Sequence, residues 1–481
     1  MNYADPKLTE PGEARCPGVT TQEIIAGDVY PAPEWVKGES YTFLGDEDIS
    51  TERYTSADYA RREYESMWTR TWQFACREEH IPEAGDYYVY DVGPYSLLVT
   101  RQEDGSIRAF HNACLHRGTK LRHNGTSGTA SEFRCTFHAW SWEIDGSCKT
   151  VLCDWDFPHV DKDDQALPQA RVATLGGFVF INMDPDAPSL EDYMGPEALA
   201  HFRSWNFEKR YTVLHVMKRL VCNWKLNQEA FHEAYHVLAT HPQNMPSNGD
   251  ANSQYDTYGE HMNRFISTLG VVSPHLQGTI SPQETFDQFI IGDSAALDGE
   301  DRVIRDGETP RAAMARLFRK TYEAAHHCDL SAFSDSELLD CFSYNLFPNM
   351  FVFPGISLPM VYRFRPDPRD HRKSFYEVLF LRPLPSDGEA PPPPDCQVLE
   401  DHQSFKEAEG MPEAFGEILD QDTDNLFLQQ EGLEASMKST ITLANYQEVR
   451  VRHFEQAIDK YVAMPPFKRD FRRTQGGCKS K

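Results

Sequence analysis

Two short loops, Cys114-Leu115-His116 and Cys135-Thr136-Phe137-His138, each pair one thiol with one imidazole, and eighteen residues separate them. This repeat constrains the fold more than any other stretch, because four donors that share one centre need two loops held side by side. Each loop stands next to a turn former, Gly118 or Asp145-Gly146. The chain around them supplies a β framework: short runs at YYVYDV, PYSLLVTR and SIRAF, with a turn at Asp104-Gly105. Two cysteines and two histidines suit either a structural zinc ion or a two-iron cluster in which both imidazoles serve one iron. Zinc sites more often take Cys-x2-Cys from one arm and His-x3-5-His from the other. One of each per loop fits a cluster with both cysteines on one iron and both histidines on the other.

A second constellation lies in Asn223 to His241, NWKLNQEAFHEAYHVLATH. On a helix turning about 100° per residue, Glu229, Glu233 and His236 share a face. His241 falls roughly 140° from His236, so the helix has to loosen or end before Pro242 for the two imidazoles to meet. Two imidazoles and a carboxylate are the set that binds a mononuclear non-haem ferrous ion with open positions for dioxygen. An amphipathic helix with incidental histidines is the plainer alternative.

A length of 481 residues allows two or three domains, and 40% hydrophobic with 12% aromatic residues is the composition of a globular enzyme. A formal net charge of -27 repels phosphate backbones and anionic lipid, which argues against nucleic acid or a membrane surface as a partner. No run approaches a membrane span and the start has neither a basic region nor an apolar core, so the expected location is cytoplasmic. Eleven scattered cysteines, an odd number, do not form a disulfide framework. The sequon Asn124-Gly125-Thr126 reads as a turn.

Residues 1–50, rich in Pro, Gly, Glu and Thr, read as an arm over a surface or a neighbouring subunit. From Ser56 a helical stretch sets Tyr64, Met67, Trp68 and Trp72 toward a core. TLGGFVFINM (174–183) reads as one buried strand, EDYMGPEALAHFRSW as helix and YTVLHVMKRLVCNW as strand. Residues 275–340 hold a helix, TPRAAMARLFRKTYEAAHHC, in an insertion expected to cap a pocket, with His326-His327-Cys328 taken as surface. SYNLFPNMFVFPG, LPMVYRFRP and SFYEVLFLRPL alternate as antiparallel strands, GEAPPPPDC is an exposed loop, and NYQEVRVRHFEQAIDKYV is a closing helix. A basic tail with Lys468, Arg469, Arg472 and Arg473 follows.

The quoted motifs resemble the large (alpha) subunit of the Rieske non-haem iron ring-hydroxylating oxygenases. Cys114, His116, Arg117, Gly118, Cys135, His138 and Trp140, in CLHRG and CTFHAW, are similar to that family's cluster-binding loops, with Ala139 where glycine is usual. NWK followed by Glu229, Phe231, an acidic residue, Tyr235 and His236 is similar to its catalytic-helix motif. The resemblance implies a [2Fe-2S] Rieske cluster on Cys114, His116, Cys135 and His138, and mononuclear Fe(II) on His236, His241 and a downstream carboxylate. An acidic residue eight positions before Gln430, with Gly432-Leu433 after it, makes that carboxylate Asp422, with Asp424 as second candidate and Asp420 nearby. Glu233 stands where the family usually has an aspartate joining the iron histidine to a cluster histidine across a subunit contact. Some members acting on quaternary amines resemble this chain in having glutamate there.

The implied fold is α+β: an antiparallel β Rieske domain over 51–185 and a helix-grip catalytic domain, a curved antiparallel sheet with helices, over 186–465, then a tail at 466–481. The implied function is the terminal oxygenase of a multicomponent system. It takes electrons from a separate reductase, with or without a ferredoxin, and passes them through His138 and Glu233 to hydroxylate or dihydroxylate an organic substrate with O2. The implied assembly is a homotrimer, with or without beta subunits. The many Phe and Tyr of the catalytic half point to an aromatic or other apolar substrate, while Glu233 keeps oxidative demethylation or hydroxylation of an amine in view. A non-enzymatic Rieske electron carrier and a zinc-stapled binding protein are the readings from other classes.

Overall fold

The computed structural model describes residues 9–288, 302–385 and 390–469, so Arg472 and Arg473 of the basic tail lie outside the described residues. The chain forms two compact units. One is built mainly from Ala60–Tyr193. Its strands are β1 (Gln73–Arg77), β2 (Asp86–Val92), β3 (Tyr95–Arg101), β4 (Ile107–His111), β5 (Ser127–Thr129), β6 (Gln169–Leu175) and β7 (Phe178–Asn182). They make one antiparallel sheet in the order β1-β7-β6-β4-β3-β2-β5. A small three-stranded sheet, residues 133–134, 141–142 and 148–150, carries the second thiol loop at its first turn. Val89, Leu98, Phe110, Phe133, Trp140 and Trp142 bury their side chains together with Cys114 and Cys135.

Two elements here differ from expectation. TLGGFVFINM is a hairpin and not one strand: Gly176 and Gly177 take φ of 59° and 76°, a left-handed turn that lets β6 fold back on β7. The helix after Ser56 is α-helical only over Ala57–Arg62 and widens to a π turn at Glu63–Met67. Met67, Trp68 and Trp72 are buried as their spacing requires, and Tyr64 is half-buried.

The other unit holds an eight-stranded sheet: β8 (Arg210–Leu220), β9 (Gln254–Tyr258), β10 (Met262–Ser267), β11 (Cys341–Leu346), β12 (Met350–Phe353), β13 (Met360–Pro366), β14 (Ser374–Pro383) and β15 (Gln397–Leu399). The order is β9-β10-β11-β12-β13-β14-β8-β15, antiparallel except at the edge, where β15 runs parallel to β8. Alternation sorts the two faces. Leu214, Val216, Tyr362, Phe364, Tyr376 and Val378 join the main core, while His215, Arg363 and Glu377 face the other way.

Five helices matter for the site: α1 (Trp224–Glu229), α2 (Val237–Thr240), α3 (Pro310–His326), α4 (Glu413–Ala435) and α5 (Val449–Val462). Along α4, Phe415, Leu419, Asp422, Leu426 and Gln430 are buried at helical spacing, so one face carries the core contacts and a single acid. Residues 9–59 pack with this unit and are no free arm. Asp28 and Asp340 both grip Arg311 of α3, and the Arg15 guanidinium lies 3.7 Å from the Tyr446 ring centroid. Residues 51–59, expected with the cluster domain, also belong here, because the Tyr54 hydroxyl donates to Glu229 at 2.9 Å. The described part of the 275–340 insertion has its own core around Met314, Leu317, Leu330 and Leu338.

Candidate functional site

The two thiol loops are the same turn made twice. In the first, the Cys114 N–H donates to the carbonyl of Thr119 at 2.8 Å and the Gly118 N–H donates to that of Cys114 at 2.8 Å. In the second, the Cys135 N–H donates to Trp140 at 2.8 Å and the Ala139 N–H to Cys135 at 3.0 Å. Both turns need a left-handed residue at the fourth position after the cysteine, which is Gly118 at φ 81° in one and Ala139 at φ 60° in the other. The His116 and His138 rings lie 4.7 Å apart, His116 stacks on Trp140, and its Nδ1 is buried with no partner. Burial raises the Cys114 thiol. At Cys135 burial is outweighed by the N–H groups of Phe137 and His138 with the Cys114 thiol, which hold it below the ordinary value.

Donor nitrogens and sulfurs so placed fit a metal cluster. Among the described residues the groups of three or more donors mutually within 4.8 Å are His236/His241/Asp422 and His215/Glu377/Cys396, and the four loop donors are not among them. A two-iron cluster, with both cysteines on one iron and both histidines on the other, spreads its ligands more widely than a single zinc ion does.

In the other unit, the expected helix over 223–241 is broken. Helix α1 stops at Glu229 and α2 begins only after His236. Nothing in the intervening AFHEAYH is a helix breaker; side chains from elsewhere hold the gap. Arg450 of α5 donates to the His232 carbonyl at 2.9 Å, and the Tyr255 hydroxyl accepts from the Ala234 N–H at 3.1 Å. The Glu233 carboxylate accepts from the His236 N–H at 2.9 Å. Arg450 is fully buried, its hydrogen bonds go to carbonyls, Ser343 and Asn263, and burial lowers it to about 9. A guanidinium at the carbonyl end of α1 also complements the helix dipole. Despite the break, Glu229 lines one pocket with Glu233 and His236. It is buried against Tyr54 and beside Glu455, and burial with that second carboxylate raises it well above the ordinary range.

Helix α2 ends at Thr240, and the imidazoles on either side of it meet one carboxylate. His236 Nδ1 donates to Glu233 Oε1 at 2.7 Å and its Nε2 lies 3.5 Å from Asp422 Oδ1. His241 Nδ1 donates to Gln421 Oε1 at 2.7 Å and its Nε2 lies 2.8 Å from the same Asp422 oxygen. Each ring thus spends Nδ1 on an orienting partner and turns Nε2 to a common point, the arrangement in which imidazole binds a metal. Burial would lower His236, but Glu233 and Asp422 prevail and raise it to about 9. Sequence reasoning missed Gln421 and Arg450; Gln421 carries a signal only in hindsight, as the neighbour of Asp422. Asp420 is used elsewhere, accepting from the Phe405 N–H at 2.8 Å, and Asp424 is exposed. The other convergence, His215/Glu377/Cys396, is unsuited to a cation, since Arg363 donates to both oxygens of Glu377 at 2.6 Å and holds that buried carboxylate far below its ordinary range.

Against the two histidines lies a cavity of about 140 Å³. Phe231, Phe265, Phe353, Met360, Tyr362 and Phe415 supply much of its wall, and Asn244, Ser247 and Asn248 a polar side. Of the aromatic and thioether side chains suggested by sequence, Phe231 and Phe265 line it, whereas Met350 and Phe351 are core and do not.

Comparison with known proteins accords with both centres. The description "Ring hydroxylating alpha subunit (catalytic domain)" matches residues 196–464 and "Rieske [2Fe-2S] domain" matches residues 71–156. The chain therefore belongs to the ring-hydroxylating alpha-subunit family, the Rieske-type non-haem iron oxygenases. Among its relatives, the chlorobenzene dioxygenase subunit alpha of Cupriavidus sp. (strain PS12) is 35% identical over 192 residues, 39% of this chain and 42% of that one. The carnitine monooxygenase oxygenase subunit of Escherichia coli (strain K12) is 28% identical over 219 residues, 44% of this chain and 57% of that one. The aligned stretch of the first relative is thus about two fifths of its length. Two solved structures share the fold: naphthalene 1,2-dioxygenase with indole bound, at TM-score 0.57, 18% identity and coverage of 90% of this chain and 95% of that one, and a quaternary ammonium Rieske monooxygenase with L-carnitine, at TM-score 0.57, 16% identity and 86% and 95% coverage. Among the described residues no helix is long and apolar enough to cross a membrane.

Proposed function

We propose that the chain is the terminal oxygenase of a multicomponent Rieske system, in which Cys114, His116, Cys135 and His138 would hold a [2Fe-2S] cluster that supplies electrons, and His236, His241 and Asp422 would hold the mononuclear iron. The observation that carries this reading is the meeting of two Nε2 atoms on one Asp422 oxygen, 3.5 and 2.8 Å away, at the wall of a largely apolar cavity. Ferrous iron with two imidazoles and one carboxylate supplies dioxygen activation with positions left open. Glu233 and Gln421 hold the two rings so that their Nε2 atoms stay unprotonated toward the ion, and Asp422 offsets one of its two charges. The cavity walls keep the substrate beside the ion and away from bulk water.

Electrons come from a separate reductase, with or without a ferredoxin, and enter through His138 of a neighbouring subunit to Glu233 in a homotrimer, with or without beta subunits, in the cytoplasm. The reaction is hydroxylation or dihydroxylation of an organic, ring-bearing substrate. A second reading, oxidation of an amine, is favoured by Glu233 in place of aspartate and by similarity to the carnitine monooxygenase subunit. The test is iron content with coupled oxygen uptake: about three irons per chain and substrate-dependent oxygen consumption support the enzyme, and about two irons with none mean an electron carrier.

A further inference from the structure

Taking the cavity at the three-ligand centre as the substrate site, its polar side narrows what it takes. After His241 the chain runs along the cavity wall and contributes Asn244, Ser247 and Asn248. Asn248 Oδ1 accepts from the Ser267 hydroxyl at 2.7 Å, which leaves the amide nitrogen of Asn248 unspent. Among the described residues that nitrogen, the Asn244 amide and the Ser247 hydroxyl have no side-chain hydrogen bond, although Ser247 is only 5% exposed. Apart from His236, His241, Ser267 and the two acids Glu233 and Asp422, the rest of the wall is largely apolar, and among the described residues no lysine or arginine lines it. A space of about 140 Å³ is close to the roughly 150 Å³ that encloses benzene in an engineered cavity.

We infer that the cavity takes an uncharged molecule of single-ring size whose oxygen substituent accepts hydrogen bonds from Asn244, Ser247 and Asn248. A carboxylate would be buried with no cation to meet it, apart from a metal already sharing its charge with Asp422. A quaternary ammonium gains from the aromatic wall but cannot accept from the amide N–H groups, and the two acids are already engaged at the three-ligand centre. A bare hydrocarbon fits the apolar wall but leaves the donors of Ser247 and Asn248 without a partner on the ligand, and sites built to hydrogen-bond a substituent discriminate strongly against ligands that lack it.

The experiment titrates benzene, phenol, benzoate and benzyltrimethylammonium into the metal-loaded full chain by calorimetry. Near-infrared circular dichroism of the ferrous centre reports occupancy beside the iron. Phenol should bind at least about tenfold tighter than benzene, and both charged compounds more weakly than either. The double variant Ser247→Ala with Asn248→Leu should bring the phenol-to-benzene ratio toward one, with iron content and the visible cluster spectrum showing that the variant is folded. If benzene binds as tightly as phenol, or a charged compound binds best, the inference is overturned while the cavity remains the substrate site. If none of the four perturbs the ferrous signal, the substrate-site reading itself fails and the inference falls with it.

Discussion

Ala139 provides a test of the paired-loop geometry. It occupies φ 60° at the position where the matching turn has Gly118 at φ 81°, and its N–H must stay bonded to the Cys135 carbonyl for the loop to close. A left-handed backbone costs a side-chain-bearing residue about 1–2 kcal/mol. Replacing it with glycine relieves that cost but adds about 0.5–1 kcal/mol of unfolded-chain entropy. Ala139→Gly should therefore stabilise the cluster unit by about 0–1.5 kcal/mol, a rise in Tm of about 2 °C at the middle of that range for a unit of this size. Ala139→Val should do the opposite by a larger amount, because a β-branched residue resists this conformation most strongly. The assay is thermal loss of the cluster's visible absorbance in the three proteins, with the sulfur and iron content of each measured first. A fall in Tm for the glycine variant, or a valine variant as stable as the parent, would refute the claim that the two loops share one turn.

Asp422→Ala should remove the mononuclear iron, lowering metal content from about three to about two irons per chain, and leave the cluster spectrum in place, whereas Asp424→Ala should keep all three. In the metal-free protein His236 is raised from 6.5 to about 9, so its pairing with Glu233 stabilises fully below pH 6.5 and is lost as pH climbs through 9. Ferrous ion competes with that proton, so affinity should strengthen from pH 6.5 to 9 and then level off; Glu233→Gln should flatten both the melting and the metal-titration profiles. Arg450→Gln should cost at least about 2 kcal/mol in denaturant unfolding, because buried carbonyl and amide oxygens lose their donor.

The cluster loops were legible because their chemistry is local: spacing and ligand type alone exclude most alternatives. The strands at Tyr95–Arg101 and along β8, β13 and β14 were legible for the same reason, since short runs rich in β-branched and aromatic residues mark a strand locally. The break between α1 and α2 was not, because it is imposed by Arg450 and Tyr255, far along the chain, on a segment that has ordinary helical composition. The spacing argument required the helix to loosen or end before Pro242, and it does: α2 stops at Thr240, in addition to the break ahead of His236. The β6–β7 hairpin was hidden because Gly176-Gly177 sits in an otherwise uniform apolar run. Membership of the 51–59 segment in the catalytic unit could not be read, since contacts far along the chain decide it: Tyr54 to Glu229, Thr51 to Ser439 and Arg53 to Glu455.

Gln421 and Asp422 are consecutive residues of α4, and they clasp the two nitrogens of the same imidazole, His241. The azimuth of one long helix therefore sets both the tautomer of that ring and the carboxylate it faces. One residue inserted or deleted anywhere between Glu413 and Asp420 would swing the pair about 100° around the helix axis and remove both contacts in one step. A shift of the whole helix by a single turn would carry them about 5.4 Å along its axis with the same result. The loops at either end of α4 are free to vary in length without this penalty, so indels in related chains should collect there and avoid the first two turns.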